Sequence, residues 1–310
     1  MRTLSISKLL IFLLVFTLSG MMVFAQKSKS KTKPKAPVKA KSIIFGVVND
    51  GASLEPIAYV ENGKLVEAAN GMSDEKILTA FAKSFYQPKT TYNLVFGGKN
   101  DGKVTVSKSN VDSDCAKNMA EITVQPGKAK IKGFVMALAT NGTLKPGPGV
   151  RRMPTFPERT EIEALVRAEF ENQKITSEVV KNLRYHNLTA IDVDNDGKAE
   201  MVGSFYVEPA ATERAKLFFI AEKNSSGKYA FTHREYELTK ESDVMNSEIK
   251  ALDEGIYHEL FLDSYDYDGD GVGEIFTLTQ GFESNGFTAY KREAGKWVKS
   301  FEGSNYHCGY

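Results

Sequence analysis

Two short acidic stretches hold the residues in this chain whose types and spacing are best suited to chemistry. The first runs Asp192-Val193-Asp194-Asn195-Asp196-Gly197-Lys198-Ala199-Glu200, and the second Asp266-Tyr267-Asp268-Gly269-Asp270-Gly271-Val272-Gly273-Glu274. Both read D-x-D-x-D-G-x-x-E, with carboxylates at positions 1, 3, 5 and 9 and glycine at 6. A hard cation such as Ca²⁺ takes about six to eight oxygens at about 2.3–2.6 Å, from carboxylates, backbone carbonyls and water. Alternating aspartates converge on one point when the chain curls around it, and glycine at 6 permits the sharp turn. The spacing therefore predicts two Ca²⁺ sites. The side chains of Asp192, Asp194, Asp196 and Glu200 hold the first, with the carbonyl of Lys198. Those of Asp266, Asp268, Asp270 and Glu274 hold the second, with the carbonyl of Val272. Asp, Asn and Gly are also common in ordinary turns. Two copies in register, each a set of like charges that repel without a counter-ion, favour metal.

The flanking elements exclude an EF-hand. That loop needs a bidentate Glu at position 12 and a helix on either side. Position 12 here is Gly203 or Thr277, and Met201–Val207 and Ile275–Thr279 read as strands. In spacing and in strand–loop–strand setting the two stretches resemble the calcium loops of FG-GAP/VCBS-type β-propeller repeats, as in the integrin α-subunit head. The resemblance covers about residues 186–310. It implies two propeller-blade-like β repeats, each a strand, a cation loop and two or three further strands. Leu188–Ile191 leads into the first loop as Leu260–Leu262 leads into the second. Gly227-Lys228-Tyr229 in one repeat matches Gly295-Lys296-Trp297 in the other. The phenylalanine-glycine and glycine-alanine-proline signatures of that family are not evident. Two blades are too few for a ring of about seven, so a closed propeller is not the expectation, although strands within residues 42–150 could be diverged blades.

Upstream, residues 1–25 have the pattern of a signal peptide. Arg2 and Lys8 precede an apolar core, and Val23-Phe24-Ala25 places small residues for cleavage after Ala25. An uncleaved anchor is the competing reading, because the apolar stretch approaches the lower length for spanning a bilayer. The Ala25 site favours export to the periplasm, the cell envelope or the medium, with no stable membrane span after cleavage. Residues 26–41 form a Lys-rich linker that cannot build a core; a spacer is its simplest role, and contact with an anionic surface the sharper one.

Residues 42–150 read as a β-rich domain without a recognisable motif. Strands are expected at 42–48, 56–60, 64–67, 91–96, 103–107, 120–124 and 131–139, with a helix over 73–85 capped by Ser73. Pro146–Gly149 and Pro154–Pro157 mark a boundary. Residues 151–185 are a helical connector, with a helix over 158–173 and a short one that Ser177 caps and that reaches Leu183. The fold class is thus mainly β with a few helices: a β-rich domain followed by the two loop-bearing repeats at 186–310.

The formal charge of +1 conceals an asymmetry, because residues 151–310 hold 19 basic and 29 acidic side chains. That excess suits cation binding and disfavours nucleic acid, which needs a clustered basic face. Cys115 and Cys308 are the only cysteines; in an oxidising compartment they are expected to pair and staple the C-terminal tail to the first domain. A nucleophilic thiol beside His307 is the weaker reading. His186, His233, His258 and His307 show no metal-binding spacing. Tyr265, Tyr267, Phe282, Phe287, Tyr290 and Trp297 could stack on sugar, but core packing is the simpler expectation.

Together these features describe an exported, non-catalytic Ca²⁺-binding β-repeat protein that attaches to a glycan or protein at the cell surface. The rival is a secreted hydrolase of polysaccharide or peptidoglycan, with a carboxylate pair among Glu208, Glu222, Glu235, Glu254 and Glu283. An envelope scaffold is a third reading.

Overall fold

Residues 41–147, 149–244, 249 and 251–308 are described by a computed structural model. The expected signal peptide, and all of the linker except Lys41, lie outside the described residues. The chain is mainly β.

Alternation of large apolar residues sets the first element. Ser42–Val48 (β1) turns Ile43, Phe45 and Val47 to one side and Ile44 and Val48 to the other, and each side enters a different buried cluster. The chain continues through Ser53–Glu61 (β2), Lys64–Glu67 (β3), Glu75–Phe85 (α1), Thr91–Phe96 (β4), Lys99–Ser109 (β5), Ala120–Pro126 (β6) and Ala137–Thr140 (β7). These strands pair in the order β1-β7-β4-β5-β6-β2-β3, and β1 also pairs β2. The ring therefore closes into a six-stranded antiparallel barrel with β3 as an outlying hairpin arm. Closure removes free edges, and it overturns the idea that these strands are diverged blades. Helix α1 lays Leu78, Phe81, Ala82 and Phe85 inward, and Phe81 and Phe85 pack beside Phe45 and Tyr92 in the barrel cluster.

Three local expectations change. Asp74, not Ser73, caps α1 by accepting from Lys76 N at 3.0 Å, while Ser73 Oγ accepts from Asn70 N at 3.1 Å. The β4–β5 turn is confined to Gly97 and Gly98, both at positive φ, so Lys99–Gly102 join the strand. The expected 131–139 strand starts only at Ala137 and runs to Thr140, because Lys132 and Val135 fold back on each other.

Phe156–Asn172 (α2) starts at a capping box in which Thr155 and Glu158 exchange hydrogen bonds. Ser177–Val180 (α3) is shorter than expected, and Ser177 Oγ donates to Glu171 Oε1 at 2.8 Å instead of capping. The rest of the chain forms two four-stranded antiparallel meanders. The first comprises Arg184–Ile191 (β8), Glu200–Ala210 (β9), Glu213–Lys223 (β10) and Tyr229–Lys240 (β11), followed by Glu241–Val244 (α4). The second comprises Glu259–Tyr265 (β12), Glu274–Gln280 (β13), Ser284–Glu293 (β14) and Lys296–Tyr306 (β15).

Order in space differs from order in sequence. The second meander lies between the barrel and the first. On one face, Leu260, Leu262, Phe276, Leu278 and Phe287 join Ile44, Val95 and Leu138 of the barrel. On the other, Phe261, Ile275, Tyr290 and Trp297 meet Ile191, Val202, Phe218 and Ile220. The first meander then turns Met201, Phe205, Leu217 and Phe219 onto Ile162, Val166 and Phe170 of α2. A sheet buried on both faces reads as an unbroken apolar run, as in Leu217-Phe218-Phe219-Ile220-Ala221, because successive residues serve opposite layers. The barrel and α2 thus cover the outer faces of the meander pair.

Polar links hold the layers in register. Asp263, fully buried, accepts from Gly97 N (3.0 Å), Gly98 N (2.9 Å) and Arg151 Nη1 (2.9 Å). Arg151 lies over the rings of Phe96 and Phe261, at 4.6 and 4.7 Å. Glu55 of β2, also fully buried, binds the Nδ2 atoms of Asn285 and Asn305 and the Nε2 of His307, each at 2.7 Å. Beside it Cys115 and Cys308 form a disulfide with Cα atoms 5.3 Å apart. The expected staple joins the chain's end to the barrel.

Candidate metal centre

Each acidic stretch joins the first strand of a meander to the second: residues 192–199 link β8 to β9, and residues 266–273 link β12 to β13. The backbones match. Position 4 is left-handed in both (Asn195, φ 61°; Gly269, φ 84°), and so is position 6 (Gly197, φ 82°; Gly271, φ 105°). A Cβ added at Gly197 or Gly271 would meet nothing within 4 Å, so conformation and not space demands glycine there.

Four hydrogen bonds match as well; a fifth, to the Asp at position 1, comes from position 5 in the first loop and from position 4 in the second. The Asp at position 1 accepts from the backbone of position 6, Gly197 N to Asp192 at 3.0 Å and Gly271 N to Asp266 at 3.2 Å. Position 3 accepts from position 5, in each loop at 3.1 Å. Position 5 accepts from position 7, Lys198 N to Asp196 at 2.7 Å and Val272 N to Asp270 at 2.9 Å. Glu at 9 accepts from position 2, Val193 N at 3.0 Å and Tyr267 N at 3.2 Å. The loops curl because their own carboxylates cap their backbone.

That curl converges oxygens. Carboxylate oxygens of Asp192, Asp194 and Asp196 lie within 4.8 Å of one another, as do those of Asp266, Asp268 and Glu274. Oxygens on opposite sides of a cation at about 2.3–2.6 Å stand about 5 Å apart. Both sets fit a hard cation, and all six atoms are the oxygens it prefers. The two sets differ in their fourth member. Glu200 faces Arg292 Nη2 at 2.9 Å, and Asp270 faces Lys291 Nζ at 3.1 Å.

Protein cations stand beside each loop. Consecutive residues of β14 point to opposite faces: Lys291 turns to its own loop, with Asp268 and Asp270, and Arg292 crosses to the other, with Nη1 2.6 Å from Asp194 Oδ2. Arg292 Nη2 also meets Glu222 at 2.9 Å, and Lys145 Nζ is 2.5 Å from Asp266. Lys198, expected to contribute its carbonyl, places Nζ 3.0 Å from Asp196. Sequence spacing could not reveal Lys145, Lys291 or Arg292, since they come from other elements. Burial pushes the Glu200 carboxyl up to about 7 against the pull of Arg292, and burial with the Asp268 charge pushes Glu274 up to about 8. Both loops border one cavity of about 510 Å³, through Asp192, Asp266 and Asp268, which the Gly97–Gly98 turn and Lys99 also line.

The remaining candidates separate. Tyr265, Phe287, Tyr290 and Trp297 are buried in the layer cores, so they form no sugar-stacking platform; Phe282 alone of the six is exposed. Trp297 Nε1 donates to Glu222 Oε1 at 2.6 Å, bridging the meanders. Glu208 pairs with Arg184, and Glu235 is drawn down to about 2 by His233 and Lys299. Glu259, absent from the expected acid list, shares a cavity of about 350 Å³ with Glu235 and is raised by burial.

Among the described residues no helix is long and apolar enough to cross a membrane. Comparison of the chain with models of protein families, with curated proteins and with solved structures found no match.

Proposed function

We propose that the chain is an exported Ca²⁺-binding surface module, with two loops of the FG-GAP/VCBS kind mounted on propeller-blade-like meanders. The observation that carries this is the shared internal geometry of the loops, four carboxylate–backbone hydrogen bonds at the same positions and three convergent carboxylates apiece. Asp192, Asp194 and Asp196 would hold one cation; Asp266, Asp268 and Glu274 would hold the other. Glu200, Asp270 and the carbonyls of Lys198 and Val272 complete the shells where Arg292 and Lys291 withdraw. Each ion would neutralise clustered charge and fix a strand-to-strand turn, so binding and folding are coupled. Extracellular modules of this kind bind with Kd of about 10⁻⁴–10⁻³ M. At a tenfold excess of Ca²⁺ over Kd, one site stabilises the fold by about 1.4 kcal/mol. Glycan or protein at the cell surface is the partner class that an exported, Ca²⁺-stabilised β scaffold suits.

Thermal unfolding of residues 26–310 with Ca²⁺ and with chelator tests this. The melting temperature rises with Ca²⁺, and Asp194→Ala and Asp268→Ala each remove part of the rise. An unchanged melting temperature at millimolar Ca²⁺ would mean the loops are self-capped acidic turns.

One observation favours a second reading, a secreted hydrolase: Glu235 and Glu259 line one cavity with ionisation preferences pushed apart. Against it, Glu259 Oε1 already accepts from Thr277 Oγ1 and Tyr290 OH, as a satisfied structural carboxyl does.

A further inference from the structure

The ends of the meander strands remote from the acidic loops border a second cavity, of about 650 Å³. Sites for small molecules usually span about 300–1,000 Å³. Its wall is built of stacked rings. His186 stacks on Tyr206 with centroids 4.8 Å apart and planes 14° apart, and its centroid lies 4.0 Å from that of His258 and 5.1 Å from that of Phe134. Phe134 and Phe282, 47% and 36% exposed, line the same cavity.

His186 is there because of a β-bulge. Tyr185 pairs with Phe205 and Asn187 with Ser204, which leaves His186 as the extra residue of β8. Bulges re-aim a side chain and recur beside binding sites. His186 Nε2 and His258 Nδ1 are shielded from solvent and have no hydrogen-bond partner. Native proteins seldom leave such atoms unpaired without a reason. A ligand reaches only the other nitrogen of each ring, His186 Nδ1 and His258 Nε2, neither of which is hydrogen-bonded among the described residues. Both rings stay neutral at pH 7: burial lowers His186, and burial, with His186 and Lys216 adding to it, lowers His258 to about 3. A neutral imidazole offers one N–H donor and one bare acceptor.

Four of the five charged residues of the wall pair with one another. Arg184 Nη1 meets Glu208 Oε1 at 2.8 Å, and Arg214 holds Asp253 through Nε at 2.8 Å and Nη2 at 3.2 Å. Each pair is neutral and keeps carboxylate lone pairs for further bonds, while the fifth, Glu254, accepts from Ala251 N at 3.3 Å and leaves the wall with one formal negative charge, so it does not attract an anion. An apolar ring face beside unpaired, uncharged donors and acceptors suits a ligand with an apolar C–H face and a hydroxyl edge. A transition metal held by the two imidazoles fits less well, because no third metal-binding side chain meets them among the described residues.

We propose that this cleft binds a neutral saccharide, one sugar ring stacking on Phe282 or Phe134 and hydroxyls pairing with His186 and His258. The inference names the ligand class and place for the surface-binding part of the function proposed above, and it does not rest on the cation part.

Isothermal titration calorimetry of residues 26–310 with cellohexaose, xylohexaose, maltohexaose and chitohexaose tests it, each in excess Ca²⁺ and in excess EDTA. At least one hexaose binds, with similar affinity in both buffers. Phe282→Ala and His258→Ala each weaken it by about tenfold. Phe282 is exposed, so its variant keeps the parental melting temperature and separates lost contact from lost fold. Three results would each overturn the proposal: no hexaose binds; binding is indifferent to both substitutions; or Zn²⁺ binds in a His258-dependent manner and no sugar does. Binding in Ca²⁺ that vanishes in EDTA also overturns it, by moving the sugar to the loops. Failure of the cation reading appears separately, as a melting temperature that ignores Ca²⁺ while sugar titrations stay unchanged.

Discussion

Replacing Arg151 with methionine should be among the most damaging single changes in the chain. Its guanidinium is 5% exposed and Asp263 is not exposed at all. Besides Asp263, Nη1 donates to Met136 O at 2.8 Å and Leu262 O at 2.7 Å. Methionine keeps the packing on Phe96 and Phe261 but strips those oxygens of their donor. Asp263 retains three backbone donors (Gly97, Gly98 and Ser264) and loses its buried counter-charge. Breaking one half of a buried pair costs about 3–5 kcal/mol. At about 2–4 °C per kcal/mol for a chain of this size, the melting temperature falls by about 6–20 °C. Much of the loss comes from stranding a carboxylate, so Arg151→Met/Asp263→Asn should be more stable than Arg151→Met alone. Burial already raises the Asp263 carboxyl against the pull of Arg151, which agrees in direction. Guanidinium denaturation of both single variants and the double, followed by circular dichroism under non-reducing conditions, gives the cycle. A single-variant cost below about 1 kcal/mol, or strict additivity in the double, would refute the buried-pair argument.

Cys308→Ser should lower stability by about 2–5 kcal/mol, since the bridge closes a loop of 193 residues. The same shift should follow reduction of the parent, and a melting temperature indifferent to dithiothreitol would contradict it. His307 gives a pH dependence of known sign. Burial lowers its pKa, but the hydrogen bond and charge of Glu55 outweigh burial, so the folded value lies above the ordinary one. Its contribution is complete below about pH 6.5 and is lost as pH rises through the folded value. Stability should therefore fall above neutrality in the parent more than in His307→Asn, and parallel curves for the two would count against the assignment.

The acidic loops were legible in sequence because the bonds that curl each one are local: an aspartate caps the backbone of the next few residues, so spacing encodes geometry. The β character of the chain, most strands, α1 and α2, and the pairing of the two cysteines were legible for similar reasons of periodicity and arithmetic. The barrel was not. Its closure depends on β1 meeting both β2 and β7, and strand partners far apart in sequence leave no periodic trace. Nor did sequence order indicate that the last meander lies between the barrel and the first. Only the fold placed Lys291 and Arg292 at different loops, joined Arg151 to Asp263, and brought His186 beside His258. Each of these juxtapositions joins separate elements, and burial decides their charge. Local chemistry is written in spacing. Which charges face one another is decided by packing.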